Sequence, residues 1–288
     1  MKFGQAFVVI LVSIILASGA AYYVSGASGT GAGRSVKETR LEQVKRTGVL
    51  RCGYIILPPF IAKDSNTGKM SGLVADIVEE MGRQLKLKIE WTAETSWGQM
   101  LTELNLNRYD IVAGAVFMNP NRAREADFTS PLLYSPAIMV VRKDDDRFDK
   151  DISRANKPDV KFVHIDGMYT ALVSEEEFPL AVKTSLSQIS NAAELFVMIA
   201  TKKADASVVD SHAFALYAVN NPGVLRPVAG KPLRVTAMGL PLPANEPALK
   251  AMLDTTLAYL HDSGFIDKTL KKYDDPVKFI RVAKPYAE

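Results

Sequence analysis

The feature that most constrains the fold of this chain is a regular alternation of apolar, strand-like runs with amphipathic, helix-like segments. Residues 110–117 are almost wholly apolar, as in a strand buried on both faces of a sheet. Strands that alternate with helices form βαβ units, so the sequence predicts an α/β fold with mostly parallel sheets. In the first half of the chain, strands are predicted over residues 49–56, 88–91 and 110–117, and helices over residues 77–85, capped by Asp76, and 97–105.

A second series of elements follows a polar break in the pattern. The break, residues 143–151, is the most polar stretch, and we expect it to mark the crossover between two domains. A chain of 288 residues is long enough for two modest domains. Beyond the break, strands are predicted over residues 160–164 and 206–209, and helices over residues 189–200, 245–261 and 265–273.

The N-terminal segment has the composition of an export signal rather than of a folded domain. Lys2 provides a basic start, and residues 6–21 form an uncharged, largely apolar run. Such a run is either the apolar region of a secretory signal or a short membrane span, which needs about 20 residues. We expect residues 1–25 to be a signal peptide or a membrane anchor, and the glycine-rich residues 26–35 to be a flexible linker.

Charge and motif content argue against several classes of function. A net charge of +3, with interleaved signs, offers no basic surface for nucleic acid. The histidines His164, His212 and His261 have no second ligand at zinc-site spacing, and no Gly-x-Ser-x-Gly elbow or nucleotide-binding loop is present. The single cysteine, Cys52, lies in an apolar stretch and is predicted to be a buried, inert thiol. The sequence therefore predicts no cofactor, no metal and no nucleic-acid partner.

Short sequence blocks occur in a characteristic order over the soluble part of the chain. The most specific block is RYDIVAGAVFMNPNRAREADFTSP at residues 108–131. The other blocks are GVLRCGY at 48–54, PPF at 58–60, GKMSGLVADI at 68–77, KADASVVD at 203–210, GLPLP at 239–243 and DSGFI at 262–266. In this order they resemble the polar amino-acid-binding proteins of bacterial ABC transporters, solute-binding protein family 3, over about residues 41–275. Val74 departs from the family, which has an acidic residue at that point.

This resemblance implies two α/β lobes, each a mostly parallel sheet flanked by helices, joined by two crossover strands with the ligand in the cleft. By resemblance, lobe one comprises residues 36–135 plus 236–288, and lobe two comprises residues 136–235. The family captures its ligand without transforming it, so the resemblance implies a binding protein and not an enzyme.

The resemblance also implies a pair of charged ligand anchors. Arg122 matches the family's carboxylate clamp, a task for which a guanidinium fork is well suited. Asp210 matches the acid that binds the ligand's ammonium group, and it follows an apolar strand, where ligand sites form in α/β sheets. The alternatives are that Arg122 is an exposed arginine, as Arg124 is expected to be, and that Asp210 caps the next helix.

Four further positions are assigned to the ligand site by the same resemblance. Trp97 occupies the place of an aromatic residue that covers the ligand, although an amphipathic-helix tryptophan can equally belong to the core. Ala115 would offer its backbone, while Tyr54 and Leu57 would line the junction between the first strand and its loop.

The remaining site positions depart from the family pattern. Phe117 replaces a threonine that binds ligand through its hydroxyl, and Asn119 replaces another threonine but retains hydrogen-bonding capacity. Met168 and Tyr169 stand where the family has small residues. The cleft is therefore predicted to be bulkier and more apolar than usual. We expect an apolar or aromatic ligand side chain, because no acid besides Asp210 occurs among the mapped positions and a cationic side chain would lack a partner.

Three functions remain open from the sequence. The first is an extracytoplasmic binding protein, monomeric and periplasmic or tethered to the inner membrane, that delivers an amino-acid-like ligand to an ABC permease or another membrane partner. The second is a catalytic relative, since this fold includes cyclohexadienyl dehydratase, which would need a general acid in the cleft. The third is a membrane-tethered ligand sensor.

Overall fold

The computed structural model describes residues 38–187, 190 and 192–273 of the chain. The predicted signal peptide or anchor, residues 1–25, and the predicted linker, residues 26–35, lie outside the described residues. Within the described ranges, no helix has both the length and the hydrophobicity needed to cross a bilayer.

Helices and strands alternate along most of the described chain. The helices are α1 (Arg40–Thr47), α2 (Leu73–Leu85), α3 (Met100–Asn105), α4 (Pro120–Ala123), α5 (Tyr169–Glu177), α6 (Ala192–Ala200), α7 (Ser211–Asn220), α8 (Pro247–Asp262) and α9 (Phe265–Tyr273). The strands are β1 (Val49–Tyr54), β2 (Ala62–Lys63), β3 (Met70–Ser71), β4 (Lys88–Glu94), β5 (Ile111–Ala113), β6 (Val116–Phe117), β7 (Ala126–Phe128), β8 (Leu133–Arg142), β9 (Lys161–Ile165), β10 (Val182–Leu186), β11 (Ala206–Asp210), β12 (Leu225–Pro227), β13 (Arg234–Gly239) and β14 (Pro241–Pro243).

The first sheet is parallel and has the strand order β4–β1–β5. Cys52 of β1 lies opposite Trp91 of β4 and Ile111 of β5, and its thiol is fully buried, as predicted. Helix α2 packs on this sheet and on α8 and α9. It does so through an apolar face that includes Leu73 and Ile77, one helical turn apart. We call this sheet and these helices, together with the loops and short helices between β1 and β7, including α3 and α4, the first lobe.

The second sheet has the order β10–β9–β11–β8–β13–β6, with β12 paired to β8. Strands β10, β9 and β11 are parallel, whereas β8 is antiparallel to both β11 and β13. Helices α5, α6 and α7 pack on its strands. All residues of β11 are buried, as expected for a strand covered on both faces. We call strands β9–β12 and helices α5–α7 the second lobe.

Strands β8 and β13 connect the two lobes. Near the first lobe, Met238 of β13 lies opposite both Leu133 of β8 and Phe117 of β6. Farther along, Val141 of β8 lies opposite Ala206 in the second lobe. The chain therefore passes into the second lobe in β8 and returns in β13. The lobe boundaries at residues 135/136 and 235/236 stay a prediction.

Helix α2 begins one turn earlier than predicted. Gly72 is its N-cap residue, so the prediction of a cap at Asp76 is wrong, and Asp76 lies in the first turn. The first N–H groups of a helix have no partner within the helix. Here those of Leu73 and Val74 donate to the carbonyls of Pro59 and Phe60. This arrangement fixes the loop that follows β1.

The predicted strand over residues 110–117 is divided in two. Strand β5 ends at Ala113 and β6 begins at Val116 in a different sheet. Ala115, between them, has φ 48°, in the left-handed region that breaks a strand. The helix predicted from Trp97 begins at Met100, after a turn that includes Trp97.

The polar residues 143–151 do not cross between the lobes. They form turns after β8, on the far side of the second lobe from β6. Asp145 forms ion pairs with Arg142 and Arg147, and Arg147 also contacts Asp205. High polarity at this place therefore reflects a cluster of ion pairs around a turn, and the prediction of a crossover here is wrong.

Candidate functional site

Arg122 lies on a very short helix that has favourable residues at its N-terminus. Helix α4 has Pro120 at its first turn and Asn119 as its N-cap, whose Oδ1 accepts a hydrogen bond from the Arg122 N–H at 3.0 Å. Both residues are favoured at these positions. The cap holds the backbone at Arg122, and this residue is only 8% exposed, so the alternative of an exposed arginine is wrong.

The Arg122 guanidinium bridges the two lobes. Its Nη1 donates to the carbonyl of Phe117 at 2.9 Å, and its Nη2 donates to the carbonyl of Gly167 in the second lobe at 3.1 Å. Burial lowers the pKa of Arg122 to about 10, partly opposed by the negative charge of Asp210. The group therefore remains a cation at neutral pH, and it is directed toward the cleft.

Asp210 lies at the end of β11, at the N-cap position of α7. Its side chain makes no capping hydrogen bond, so the carboxyl group of Asp210 does not cap α7. Asp210 is 3% exposed, and burial raises its pKa to about 7, partly opposed by Arg122. Among the described residues, its Oδ1 has no hydrogen-bond partner.

Aromatic side chains lie near Arg122. Phe117 stacks on Tyr169 with ring centroids 4.9 Å apart, and Trp97 lies with its ring 6.0 Å from the Arg122 guanidinium carbon. Trp97 also packs against an apolar cluster that includes Met100. This tryptophan therefore lies near Arg122 and also belongs in part to the core. The Tyr169 hydroxyl lies 2.9 Å from Oγ1 of Thr236, on a strand that joins the lobes.

A pocket of about 300 Å³ opens beside Arg122, between α4 of the first lobe and α5 of the second. It contains three further positions predicted from the sequence, Asn119, Met168 and Tyr169. The complete lining comprises Asn119, Asn121, Arg122, His164, Asp166, Gly167, Met168, Tyr169, Ala171, Leu172 and Glu175.

Within the described part of the chain, six predicted positions lie outside the lining of this pocket: Asp210, Trp97 and Phe117, described above, and Tyr54, Leu57 and Ala115. The Tyr54 ring packs edge-on against Trp91, and its hydroxyl accepts a hydrogen bond from Lys63. Leu57 forms an isolated bridge with Ile61 in the loop after β1. Ala115 is fully buried at the left-handed turn between β5 and β6.

Several residues near the candidate site were not predicted from the sequence. Asp166 and Glu175 line the pocket, so acidic side chains other than Asp210 lie close to Arg122, and the nature of the ligand side chain stays a prediction. His212 is buried two residues after Asp210 and packs against Phe60. The only signal available was proximity: His212 follows Asp210 along the chain, and Asp166 precedes the predicted Met168.

Comparisons with known proteins identify the family of this chain. The family model for bacterial extracellular solute-binding proteins, family 3, matches residues 50–275. A probable amino-acid ABC transporter-binding protein of Haemophilus influenzae is 30% identical over 36% of this chain and 40% of its own. The L-cystine-binding protein TcyA of Bacillus subtilis is 33% identical over 35% of this chain and 37% of its own. Each alignment therefore spans about two fifths of the relative.

A solved structure extends the likeness to nearly the whole described fold. The ancestral amino acid-binding protein AncCDT-1, a precursor of cyclohexadienyl dehydratase, superposes with a TM-score of 0.71 and 27% identity. The match covers 82% of this chain and 99% of that one. Both the two-lobed α/β fold and the order of the sequence blocks are thereby accounted for: this chain belongs to the bacterial extracellular solute-binding proteins, family 3.

Proposed function

We propose that this protein is the extracytoplasmic binding component of an ABC importer and that it captures an amino acid or a related small zwitterion. Its partners would be that ligand and a membrane permease. Fractionation of a tagged full-length chain tests the location, and recovery of the folded lobes in the cytosol would contradict it.

The observation that carries the proposal is the pair of buried, opposite charges provided by Arg122 and Asp210. A free amino acid loses water from its carboxylate and its ammonium group on entering a closed cleft, and each must then find a charged partner. Arg122 offers a planar fork of donors, which fits a carboxylate. Asp210 offers an oxygen with no partner among the described residues. The two groups come from different lobes, so one zwitterion that contacts both would bridge the cleft.

We further propose an apolar or aromatic ligand side chain. Tyr169, which stacks on Phe117, and Met168 line the pocket beside Arg122. Their apolar surfaces favour contact with another ring or an aliphatic chain. Because Asp166 and Glu175 line the same pocket, a decisive ligand screen contains arginine and lysine together with phenylalanine, leucine and cystine.

Calorimetry on Arg122→Ala tests the ligand anchor. The substitution would leave the ligand carboxylate without its buried partner, at a cost of about 2–5 kcal/mol. Binding of the ligand identified in the screen should therefore weaken by more than about tenfold. Arg124→Ala is the matched control, since Arg124 is exposed two residues further along. Equal affinity in Arg122→Ala and the parent protein would show that Arg122 does not hold the ligand.

A second candidate function is a dehydratase of the cyclohexadienyl type. It is favoured by the likeness to a protein described as a precursor of cyclohexadienyl dehydratase. A general acid would be required. Glu175 and Asp166 are the exposed carboxyl groups of the pocket lining, and Glu175 is the candidate on α5, since Glu176 and Glu177 are paired with Arg234. Incubation with prephenate or arogenate decides between the candidates. Turnover that Glu175→Gln abolishes would establish the enzyme.

A further inference from the structure

Two buried polar side chains at the start of α7 have unsatisfied hydrogen-bonding atoms. Within the described ranges, neither ring nitrogen of His212 has a hydrogen-bond partner, and neither does Oδ1 of Asp210. His212 is only 2% exposed. A neutral imidazole carries one donor and one acceptor, so three hydrogen-bonding positions are unsatisfied within three residues.

Unsatisfied groups of this kind are rare in folded proteins. Most buried polar side-chain atoms have at least one partner, because a buried donor or acceptor without one retains the full cost of its lost hydration. A purely structural histidine at this position would be expected to bond a carbonyl or a hydroxyl group through at least one ring nitrogen. His164 does so through its Nε2 to Ser185 at 2.8 Å, although its Nδ1 has no partner among the described residues. The His212 ring instead meets a hydrocarbon surface.

That surface belongs to the other lobe. The ring of Phe60 packs edge-to-face against His212, with centroids 4.6 Å apart and planes at 85°. Phe60 is fully buried and its carbonyl is held by the N–H of Val74 at the start of α2. His212 therefore lies where the two lobes meet, on the same helical turn as Asp210, whose charge acts on Arg122 across the cleft. The side chain of Phe60 offers no conventional hydrogen-bond donor or acceptor to the His212 ring.

We propose that His212 is a ligand-contact residue that hydrogen-bonds an uncharged polar group of the bound solute, beside the ammonium group held by Asp210. The proposal rests on the proposed function, since it places the ammonium at Asp210. It adds a requirement to the ligand: besides its two charged groups, the solute carries a hydroxyl or a similar neutral group directed toward α7.

The chemistry of His212 selects a neutral group. Burial lowers the pKa of His212 to about 3, so the ring is uncharged at physiological pH. An uncharged imidazole both donates and accepts, and a hydroxyl group does the same, so either tautomer forms one good hydrogen bond with it. A second ammonium would compete with the first for Asp210, and a second carboxylate would be repelled by it.

Matched ligand pairs test the proposal. Valine with threonine, alanine with serine, and phenylalanine with tyrosine differ in their hydroxyl group, and calorimetry measures each pair. The parent protein should prefer the hydroxylated member of at least one pair by about three- to tenfold, the range of one neutral hydrogen bond. In His212→Phe this preference should disappear, while His261→Phe, on α8 of the first lobe, should retain it.

A spectroscopic measurement on the parent protein covers the case in which His212→Phe does not fold. The chain has three histidines, so ¹⁵N-labelled rings give few signals. Binding of the hydroxylated ligand should shift the His212 ring nitrogens, and its non-hydroxylated match should not. A panel in which nothing binds would reject the proposed function and this inference together. Binding with an unchanged hydroxyl preference in His212→Phe, or with unshifted His212 signals, would overturn the inference alone.

Discussion

At the scale of single residues, burial acts on Asp210 and His212 in opposite directions. In each case the shift favours the uncharged form, because a low-dielectric interior disfavours charge. The pKa of Asp210 is raised to about 7 and that of His212 is lowered to about 3. Arg122 is the charged group that acts on Asp210, and its pKa of about 10 keeps its charge constant below pH 8. Asp210 and His212 should therefore change the free energy of unfolding with pH in opposite directions.

We predict that Asp210→Asn gains stability relative to the parent protein as the pH rises from about 4 to 7. In that window the native state keeps the Asp210 proton, whereas the unfolded chain releases it, so the parent loses stability with increasing pH. The difference should change by up to about 1.4 kcal/mol per pH unit. Urea unfolding of both proteins at several pH values measures it, and a difference that does not vary with pH would contradict the raised pKa.

We predict the reverse trend for His212→Phe. Between about pH 3 and 6.5 the unfolded chain binds a proton at this histidine that the native state does not. The parent is therefore penalised at low pH, and the variant lacks the penalty. Its stability relative to the parent should improve as the pH falls below 6.5, again by up to about 1.4 kcal/mol per unit. A relative stability that worsens on acidification would mean that the native ring is protonated.

Residue positions were predictable only where a motif surrounded them. Arg122 lies in the longest sequence block and Asp210 ends another. The structure buries both close enough for their charges to interact, while their ligand-binding roles stay a prediction. His212 and Glu175 lie on helices whose orientation depends on how α7 and α5 pack against the sheet. No local pattern encodes that packing, so these residues were not assigned to the site. Tyr54 is the opposite case: the sequence blocks assigned it to the ligand site, but its ring packs on Trp91.

At the scale of elements, the position of Arg122 depends on the start of α4. The helix spans Pro120–Ala123, too short to be stable alone, and its first turn is held by the Asn119 side chain. Asn119 was predicted to bond the ligand. Its Oδ1 is engaged by the Arg122 N–H, so the structure gives it a positioning role, although its side chain also lines the pocket.

We predict that Asn119→Ala destabilises the fold by about 0.5–2 kcal/mol, the usual effect of removing a helix cap. Ligand affinity should fall as well, because Arg122 would sample other orientations. Asn119→Asp is the rescue variant, since a carboxylate also caps a helix. Denaturant unfolding and calorimetry measure the two effects. Full affinity in Asn119→Ala would show that the cap does not position the arginine.

Elements were easier to predict than their ends. The strands around Cys52 and Val208 were predicted from apolar runs, and the structure has them. The ends depended on tertiary contacts or unusual backbone. Helix α2 starts early because carbonyls of a distant loop accept its first N–H groups, and Ala115 breaks a strand by adopting positive φ. Neither residue type nor periodicity indicates these features.

At the scale of the whole molecule, the fold combines alternating strands and helices with a chain that enters the second lobe in β8 and returns in β13. Alternation predicted the parallel sheets, but the return of the chain in β13 was implied only by the family resemblance. Pairing of β13 with β8 joins residues about a hundred positions apart, for example Thr236 and Ser135. A periodic pattern carries no information on such distant pairing, and the polar residues 143–151 were for that reason mistaken for the crossover.

Contacts across the cleft define a closed arrangement of the lobes. Arg122 bonds the Gly167 carbonyl, Phe117 stacks on Tyr169, and Phe60 packs on His212. Each contact joins residues that β8 and β13 alone connect through the chain. Bending at these two strands would separate all three contacts together, so the lobes are expected to open as units.

We predict that ligand binding compacts the molecule. A ligand that contacts Arg122 and Asp210 binds the closed arrangement better than any open one, and it can shift the population only by that difference in affinity. Small-angle scattering with and without the ligand should show a smaller radius of gyration on binding. Arg122→Ala removes both the ligand anchor and the bond to Gly167, so at the same ligand concentration it should remain more expanded. A radius of gyration unchanged by saturating ligand in the parent protein would argue against a two-lobed clamp and favour a rigid, preformed site.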